Sequence, residues 1–381
     1  MRLELSENQE MIRSAARDFA RDVVAPRAEE IDRTSEFPWD VVRQAADLDL
    51  MGIIVPEEYG GAGLDHVCFA IFVEEIAKVS GTVAVILDVH TSVGTEPILL
   101  FGTDEQKQRY LPSLASGEKL AAFCLSEPES GSDAGSLQAS ASHVDGEWIL
   151  NGTKTFITNM GEADVYIVAA RSNEQPGPRG ISTFIVDKDI PGLRFGSPMH
   201  KLGLHGSATG EVILEDVCVP ARNLLAAEGD GFKVAMKALD SGRIGISAQA
   251  VGLAQGALDL AVDYAKERKQ FGQTLSRFEG IQFMIADMAT AIDASRLMTW
   301  EAADACDRGV PFTQLASMAK LMSTDTAMSV TTDAVQIFGG YGYIKEFPVE
   351  RYMRDAKATQ IYEGTNQIQR VVIARDLLRD A

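Results

Sequence analysis

The sequence predicts an α+β protein that is mostly α-helical, with a helical N-terminal zone, a small middle β zone and a C-terminal zone of long helices. A chain of 381 residues exceeds the usual size of one hydrophobic core, so two or three domains are expected. Helical periodicity dominates residues 1–118 and 228–381. Short β-branched runs dominate residues 119–227. These three ranges are the predicted domains.

The N-terminal zone is predicted to be helical because apolar residues recur four positions apart. The first such stripe consists of Met11, Ala15, Phe19 and Val23. A Pro- and Gly-rich segment at 56–63 marks a turn between helices.

The middle zone is predicted to contain strands because its apolar runs are short and rich in β-branched residues. These runs are 148–150, 155–158, 165–168, 182–186 and 211–214. Two dipeptides typical of hairpin turns, Asp145-Gly146 and Asn151-Gly152, are expected to separate strands.

The C-terminal zone returns to helical spacing, with apolar residues four, three and four positions apart within 281–292. Ala248, Gly252 and Gly256 form a ridge of small residues on another predicted helix. We interpret this ridge as a packing surface where a neighbouring helix approaches closely.

Charge and composition limit the classes of function. The net charge of −20 argues against a nucleic-acid partner or an anionic membrane, so a polyanionic ligand would need a local basic pocket. The four cysteines lack a CxxC pair, which predicts free thiols in a reducing compartment and no metal site. We see neither a signal nor a transit pattern at the N-terminus, and no run approaches the ~18 apolar residues of a membrane span. We therefore expect a cytoplasmic protein without membrane insertion.

The most informative segment is residues 361–370, Ile-Tyr-Glu-Gly-Thr-Asn-Gln-Ile-Gln-Arg. Glu363 precedes Gly364, which allows a sharp backbone turn. Thr365 is a plausible N-cap of the following helix. A carboxylate held at a cleft rim in this way suits a proton-abstracting base.

Two segments of the middle zone carry polar groups suited to a ligand. Residues 123–136 read Phe-Cys-Leu-Ser-Glu-Pro-Glu-Ser-Gly-Ser-Asp-Ala-Gly-Ser, a strand followed by a loop rich in hydroxyls and small residues. Residues 156–158 place an aromatic ring beside a hydroxyl on a predicted strand. By themselves, both segments have ordinary explanations as a turn and as a core strand.

Together, these three segments resemble the acyl-CoA dehydrogenases, and the resemblance extends over nearly the whole chain. It implies the fold of that family, with a helical N-terminal domain, a middle β-barrel or β-sandwich domain and a C-terminal four-helix bundle. It also implies non-covalent FAD and a homotetramer. It also implies α,β-dehydrogenation of an acyl-CoA thioester to the trans-2-enoyl-CoA, with electrons passed to electron-transferring flavoprotein.

The resemblance gives Glu363 the role of the base that removes the α-proton, while flavin N5 accepts the hydride. An α-hydrogen is too weakly acidic for an ordinary carboxylate, so the site must stabilise the developing enolate oxygen. In the family, the backbone N–H of the glutamate and a flavin ribityl hydroxyl hold that oxygen. Bound substrate is expected to desolvate the carboxylate and raise its pKa.

The resemblance also implies a set of FAD contacts. Those in the middle domain are Phe123, Leu125, Ser126, Gly131, Ser132, Phe156, Ile157 and Thr158. Those in the C-terminal domain are Arg268, Phe271, Glu279, Gln336, Gly339, Gly340, Thr365, Asn366 and Gln367. Arg268 is expected to pair with the pyrophosphate. Because the segments around 268–272 and 336–340 reach a neighbouring subunit's FAD in the family, cofactor retention and oligomerisation should be linked.

The implied acyl-CoA contacts are Ser132, Asp240, Arg243, Tyr362 and Gly364. The resemblance places Asp240 and Arg243 beside the adenine and pantetheine of CoA, but the two are also explained as an i, i+3 ion pair on a solvated helix face. Gly242 favours the straight-chain or short-branched subgroup, because relatives acting on isovaleryl or long chains carry their glutamate at this position.

Two carboxylates stand out against the family pattern. The family commonly has Gln at the position of Glu279, so a carboxylate there loses two donors and adds negative charge near FAD. Asp88 falls in a region that lines the acyl pocket in relatives. It is either a helix-end or solvated carboxylate, or an acid/base group facing the acyl tail, as in relatives that dehydrogenate cyclic acyl-CoAs.

The leading hypothesis is therefore a dehydrogenase of short-chain or short-branched acyl-CoA. An acyl-CoA oxidase or a cyclic acyl-CoA dehydrogenase on the same scaffold is the enzymatic alternative. A catalytically silent flavin- or acyl-CoA-binding protein is the non-enzymatic one, and Glu363 argues against it because such a protein needs no carboxylate there.

Overall fold

The computed structural model describes residues 4–378, where helices flank a middle β-sheet in the predicted order. The N-terminal helices are α1 (Glu7–Phe19), α2 (Ala28–Thr34), α3 (Trp39–Asp47), α4 (His66–Ala77), α5 (Gly81–Val89), α6 (Glu96–Phe101) and α7 (Asp104–Ala115). The helices after the sheet are α8 (Gly231–Glu267), α9 (Glu279–Asp307), α10 (Thr313–Phe338), α11 (Val349–Thr359) and α12 (Asn366–Leu377).

Helix α1 forms as predicted, but its buried face differs from the predicted stripe. The buried residues are Ile12, Ala16 and Phe19, whereas Met11 is 57% exposed. A strict spacing of four residues drifts by about 40° per step from the helical period of 3.6. The mixed spacing of four and three stays on one face, so it describes the core-facing side better.

A long apolar helical stretch, Gly81–Phe101, runs through the core of the N-terminal domain. It includes α5, a π-helical segment at His90–Thr95 and α6. By length and composition it matches a membrane span, which corrects the expectation that no run approaches one. Because 89% of its most apolar window is buried inside the protein, the stretch is explained as a core helix.

The middle domain is an eight-stranded sheet whose hydrogen-bonded order is β6-β7-β3-β2-β4-β5-β8, with β1 pairing in parallel with β4. Its strands are β1 (Ala121–Cys124), β2 (Ser140–Val144), β3 (Glu147–Thr158), β4 (Val165–Arg171), β5 (Ile181–Asp187), β6 (Leu193–Phe195), β7 (Thr209–Pro220) and β8 (Leu224–Leu225). All five predicted runs lie in these strands. A small ribbon of β9 (Lys269–Gln270) and β10 (Gln273–Thr274) follows α8.

Of the two predicted hairpin turns, one is right and one is wrong. Asp145-Gly146 joins β2 to β3, with both residues in the left-handed region. Asn151-Gly152 instead lies inside β3, where the register to β7 shifts. Gly152 is required there because a Cβ would press against Ala139, so the glycine marks a bulge and not a turn.

The small-residue ridge on α8 is confirmed as a packing surface. A Cβ at Gly252 would overlap the carbonyl of Glu74, and one at Gly256 would overlap the carbonyl of Lys78. These glycines therefore let α8 lie directly against α4, which joins the N-terminal and C-terminal helices around the site described next.

Candidate active site

The segment with Glu363 forms a strained turn between α11 and α12. Glu363 has φ of +54° and Gly364 has φ of +88°, two successive left-handed residues. Thr365 is confirmed as the N-cap, since its hydroxyl accepts the N–H of Ile368 at 3.3 Å. Within residues 4–378, the backbone N–H of Glu363 makes no hydrogen bond, so it is free to donate to a ligand. A left-handed non-glycine residue of this kind points to a functional constraint.

The Glu363 carboxylate lies against α8 in a water-poor environment. Its Oε2 atom is buried and has no hydrogen-bond partner within the described chain. A Cβ at Gly242 would overlap this oxygen, so glycine at that position makes room for the carboxylate. Burial raises the pKa of Glu363 to about 7, although the charges of Arg243 and Lys320 oppose the rise. Such a carboxylate is suited to accept a proton near neutral pH.

Asp240 and Arg243 form an ion pair, but not on a solvated helix face. The Arg243 Nη1 donates to Asp240 Oδ1 at 2.5 Å, and Arg243 is only 4% exposed. Burial raises the pKa of Asp240 and lowers that of Arg243, each opposed by the other's charge. The charge of Glu363 also acts on Arg243. The guanidinium therefore lies close enough to the base for their charges to interact.

Asp88 is fully buried and lies next to the same face of α8. A Cβ at Gly245, three residues after Gly242, would overlap Asp88 Oδ1. Ser92 donates to that oxygen at 3.0 Å, while Oδ2 has no partner among the described residues. Burial and the charge of Glu363 raise the pKa of Asp88 well above its ordinary value. The solvated interpretation of Asp88 is thus wrong, and two carboxyl groups share one pocket wall.

An apolar cluster surrounds these carboxyl groups. Its buried members are Val85, Val89, Val93, Leu204, Ala238 and Ile246. Tyr362 packs against the cluster, and its hydroxyl donates to Gln249. Phe123 and Leu239 belong both to this cluster and to a second one that contains Leu125. The predicted flavin-facing strand is thereby connected to the pocket of Glu363.

A buried ion pair supports the segment of Leu125 and Ser126 that follows β1, and sequence reasoning did not find it. Lys154 Nζ lies 2.7 Å from Glu127 Oε1 and also donates to the Leu125 carbonyl at 3.2 Å. Thr155 N–H donates to the Ser126 carbonyl at 2.9 Å. The available signal was a lysine directly before the β-branched run at 155–158.

The three residues at the end of β3 do not share one orientation. Ile157 is buried in the core, so the predicted contact with FAD would have to come from its backbone. Phe156 is left-handed with φ of +57° and is 69% exposed, while Thr158 is half-buried. Alternation along a strand explains why the middle residue points away from its neighbours.

The remaining predicted FAD residues are largely solvent-exposed in the single chain. Gly131 and Ser132 lie in an open loop of the middle domain. Phe271 is 94% exposed, and Arg268 stacks over Tyr341 with its guanidinium 5.2 Å from the ring centroid. The exposed positions on this C-terminal edge are Phe271, Glu279, Gln336, Gly339 and Gly340. We call these five residues the outer edge.

The start of α12 carries three of the predicted FAD residues. Asn366 is buried, and its amide donates to Thr324 and Asp325 while its oxygen accepts from Lys320. Its side chain is therefore committed to the interior, so the predicted contact with FAD would have to come from its backbone. Gln367 is exposed, and the Thr365 hydroxyl is engaged in the cap.

One group of potential metal ligands lies outside this site, although the sequence predicts none. His66, Glu96 and Cys306 place ligand atoms within 4.8 Å of one another. Burial alone would lower the pKa of His66, but hydrogen bonds to Asp307, Cys306 and Glu96 raise it to about 12. A protonated imidazole between two carboxylates explains the group without an ion.

The residues present fit a planar flavin. Phe156 holds an exposed aromatic ring in a costly left-handed conformation, which is what contact with another ring would stabilise. The buried Oε2 of Glu363, a free amide and an apolar cluster lie near the segment that bears Leu125. Fold and site together are typical of an enzyme that holds one acid–base carboxylate next to a binding place for a planar cofactor.

Similarity to known proteins assigns the family. Residues 6–118, 122–217 and 229–378 match the N-terminal, middle and C-terminal domains of acyl-CoA dehydrogenase. The chain belongs to the acyl-CoA dehydrogenase family, which uses FAD.

Three similar proteins match over the full length of the chain. The short-chain specific acyl-CoA dehydrogenase of Clostridium acetobutylicum is 47% identical over 100% of both chains. Butyryl-CoA dehydrogenase from Megasphaera elsdenii is 45% identical with a TM-score of 0.98 over 100% of both chains. A chain in the structure of the electron transferring flavoprotein of Acidaminococcus fermentans is 49% identical, again with a TM-score of 0.98 and full coverage of both.

Proposed function

We propose that this protein dehydrogenates short-chain or short-branched acyl-CoA to the trans-2-enoyl-CoA, with Glu363 as the base that removes the α-proton. The observation that carries the proposal is the buried, unpartnered Glu363 Oε2 on its left-handed turn. The similarity to a short-chain specific enzyme and to butyryl-CoA dehydrogenase supports the substrate class.

The chain's own residues supply the proton chemistry. The Glu363 backbone N–H has no partner in the described chain and is available to hold the thioester oxygen as negative charge develops. Once that oxygen is held, the α-proton becomes acidic enough for transfer to Glu363 Oε2, whose pKa of about 7 matches the task. The apolar cluster around Val89 and Tyr362 excludes water from the acyl tail.

FAD is the proposed cofactor and, when bound, accepts the hydride from the β-carbon. Leu125, Ser126, Phe156 and Thr158 would hold its ring system from the middle domain. Arg268 and the outer edge would hold the pyrophosphate and adenosine end of a neighbouring subunit's FAD. Electron-transferring flavoprotein is the proposed acceptor, supported by the similarity to the Acidaminococcus fermentans chain.

A homotetramer is proposed because the C-terminal helices expose apolar surface. A groove between α9, α10 and α12 is lined by Met288, Met298, Met318, Met322 and Ile373, among others. Val371 and Leu377 on α12 are also exposed. Contiguous apolar surface of this kind marks an association site. A cytoplasmic location also stays a proposal.

Anaerobic mixing of the holoenzyme with butyryl-CoA tests the function. The flavin absorbance of the wild type should bleach, while Glu363→Gln should retain FAD and bind acyl-CoA yet react about 10²–10⁴-fold more slowly. Bleaching at the wild-type rate in Glu363→Gln would exclude it as the base. An unbleached wild type across a panel of acyl-CoAs would reject the dehydrogenase proposal.

A cyclic acyl-CoA is the second candidate substrate, and Asp88 favours it. Its buried carboxyl group shares a pocket wall with Glu363 and leaves Oδ2 unpartnered among the described residues. A simple saturated tail gives this oxygen nothing to bind. Parallel anaerobic titrations with butyryl-CoA and cyclohexanecarboxyl-CoA would rank the two: a higher kcat/KM for the ring substrate, lost in Asp88→Asn, would favour the cyclic activity.

A further inference from the structure

A fully buried lysine, Lys320, lies at the turn that presents Glu363. It comes from the middle of α10, where its neighbours on the same stripe are the small residues Ala316, Ser323 and Ala327. Its Nζ donates to the carbonyl of Gly364 at 2.9 Å and to Asn366 Oδ1 at 2.9 Å. Burying the charge of a lysine costs free energy, so the interactions of its ammonium group must offset that cost.

The turn held by Lys320 needs external support. A left-handed glutamate costs on the order of 1 kcal/mol and persists only when its surroundings fix it. Buried Gln369 donates to the carbonyls of Glu363 at 3.2 Å and Gly364 at 2.8 Å. The Gly364 carbonyl therefore receives donors from two buried side chains, one on α10 and one on α12.

Lys320 also differs electrostatically from Arg243, the other cation that acts on Glu363. Arg243 is paired directly with Asp240. The described hydrogen bonds of Lys320 go to a carbonyl and an amide oxygen, neither of which carries a formal charge. Asp325 on α10 also acts on Lys320, but its carboxylate accepts from Gln360, Asn366 and Arg370.

We propose that Lys320 is a positioning residue for the base: it fixes the Glu363–Gly364 turn, and its ammonium charge favours the ionised form of Glu363. This inference rests on the proposed function. It adds that the protonation of the base is controlled by a residue that binds the backbone of its turn and does not contact the acyl group. Burial lowers the pKa of Lys320 to about 7, against the charge of Glu363, so the two groups titrate in the same range.

The direct test is the pKa of Glu363 itself, measured by infrared difference titration of substrate-free protein with Glu363→Gln as the reference. Lys320→Met removes both the charge and the hydrogen bonds, whereas Lys320→Gln removes the charge and keeps donors. Both should raise the pKa of Glu363 by about one unit, because a favourable cation is lost. Exposed Lys357 on α11, replaced by Met, is the matched control and should leave it unchanged.

Kinetics provide the second measurement. At pH 7, a rise of about one unit in the pKa of Glu363 should slow anaerobic flavin reduction roughly fivefold in both variants, and the rate should recover at higher pH. A slowing that is equal at every pH would show a purely structural role and overturn the proposal, as would an unchanged pKa of Glu363.

A reciprocal measurement covers the case in which the Lys320 variants do not fold. Because the interaction between the two charges is reciprocal, Glu363→Gln must lower the pKa of Lys320. NMR of labelled lysine side chains measures this pKa. No change there would overturn the inference. If the wild type instead reduces no flavin with any acyl-CoA, the proposed function fails while the titrations still judge Lys320.

Discussion

The pocket of Glu363 and the outer edge differ in how completely one chain builds them. Around Glu363, the side chains of Asp88, Arg243 and Lys320 and the members of the apolar cluster are buried. At the outer edge, Phe271 is 94% exposed and adjacent glycines face open space. The difference teaches that one chain supplies the acid–base geometry, whereas cofactor retention depends on a second chain in the proposed assembly.

The largest effect is expected from a substitution at Gly242, next to Glu363, in the region that one chain builds completely. Gly242→Ala would put a Cβ into the space of Glu363 Oε2 and displace the carboxylate. A misplacement of about 1 Å costs about 100-fold, so anaerobic flavin reduction should fall by that factor. Gly280→Ala, where a Cβ meets nothing within 4 Å, is the control and should react at the wild-type rate. An unimpaired Gly242→Ala would contradict the proposed packing of the base.

A second, smaller effect is expected at the outer edge, the region that one chain leaves exposed. Phe271→Ala removes an exposed ring, which would ordinarily change stability by less than about 0.5 kcal/mol. If the ring covers a neighbouring subunit's FAD, the variant should instead lose FAD on gel filtration, with about tenfold weaker retention read from the ratio of flavin to protein absorbance. Met11→Ala, exposed on α1, should retain FAD fully. Equal retention in both variants would remove Phe271 from the cofactor site.

The smallest effect is expected from a substitution of Asp88, measured as a change in stability with pH. Its pKa is raised in the folded state, so its carboxyl favours folding below about pH 3.8 and that advantage is lost as pH rises toward the folded pKa. Asp88→Asn should therefore be more stable than the wild type at pH 8. The gain should be about 1.4 kcal/mol for each unit by which folding raises the pKa of Asp88. It should vanish near pH 4. Urea unfolding at both values measures this. Exposed Asp47→Asn should show no such trend, and a flat result for Asp88→Asn would mean that the group is ionised at no cost.

Much of the fold was predictable because periodicity reports burial. The helical and β zones and all five strand runs lie where the sequence places them. The errors were local: a strict four-residue spacing misassigned the buried face of α1, and Asn151-Gly152 was interpreted as a turn. Dipeptide chemistry is the same in a turn and in a bulge, and only the contact of Gly152 with Ala139 distinguishes them.

The site was predictable where a local motif sets the conformation. The Glu363-Gly364-Thr365 order specifies a bent backbone and a helix cap from adjacent residues alone. The burial of the Ile157 and Asn366 side chains was not predicted, because the side that a residue faces depends on the elements packed against it. Lys154 and Lys320 were missed for the same reason, since each meets its partners across more than 25 residues of chain.

The sequence by itself thus determined the order of the three zones, the turn of the base and the resemblance to one enzyme family, because these depend on neighbours along the chain. Only the tertiary structure decided that Arg243 and Lys320 act on Glu363 and that Glu363 in turn acts on Asp88. Their charges interact through space in a medium of low polarity, and that interaction depends on distance and burial, which no local pattern records.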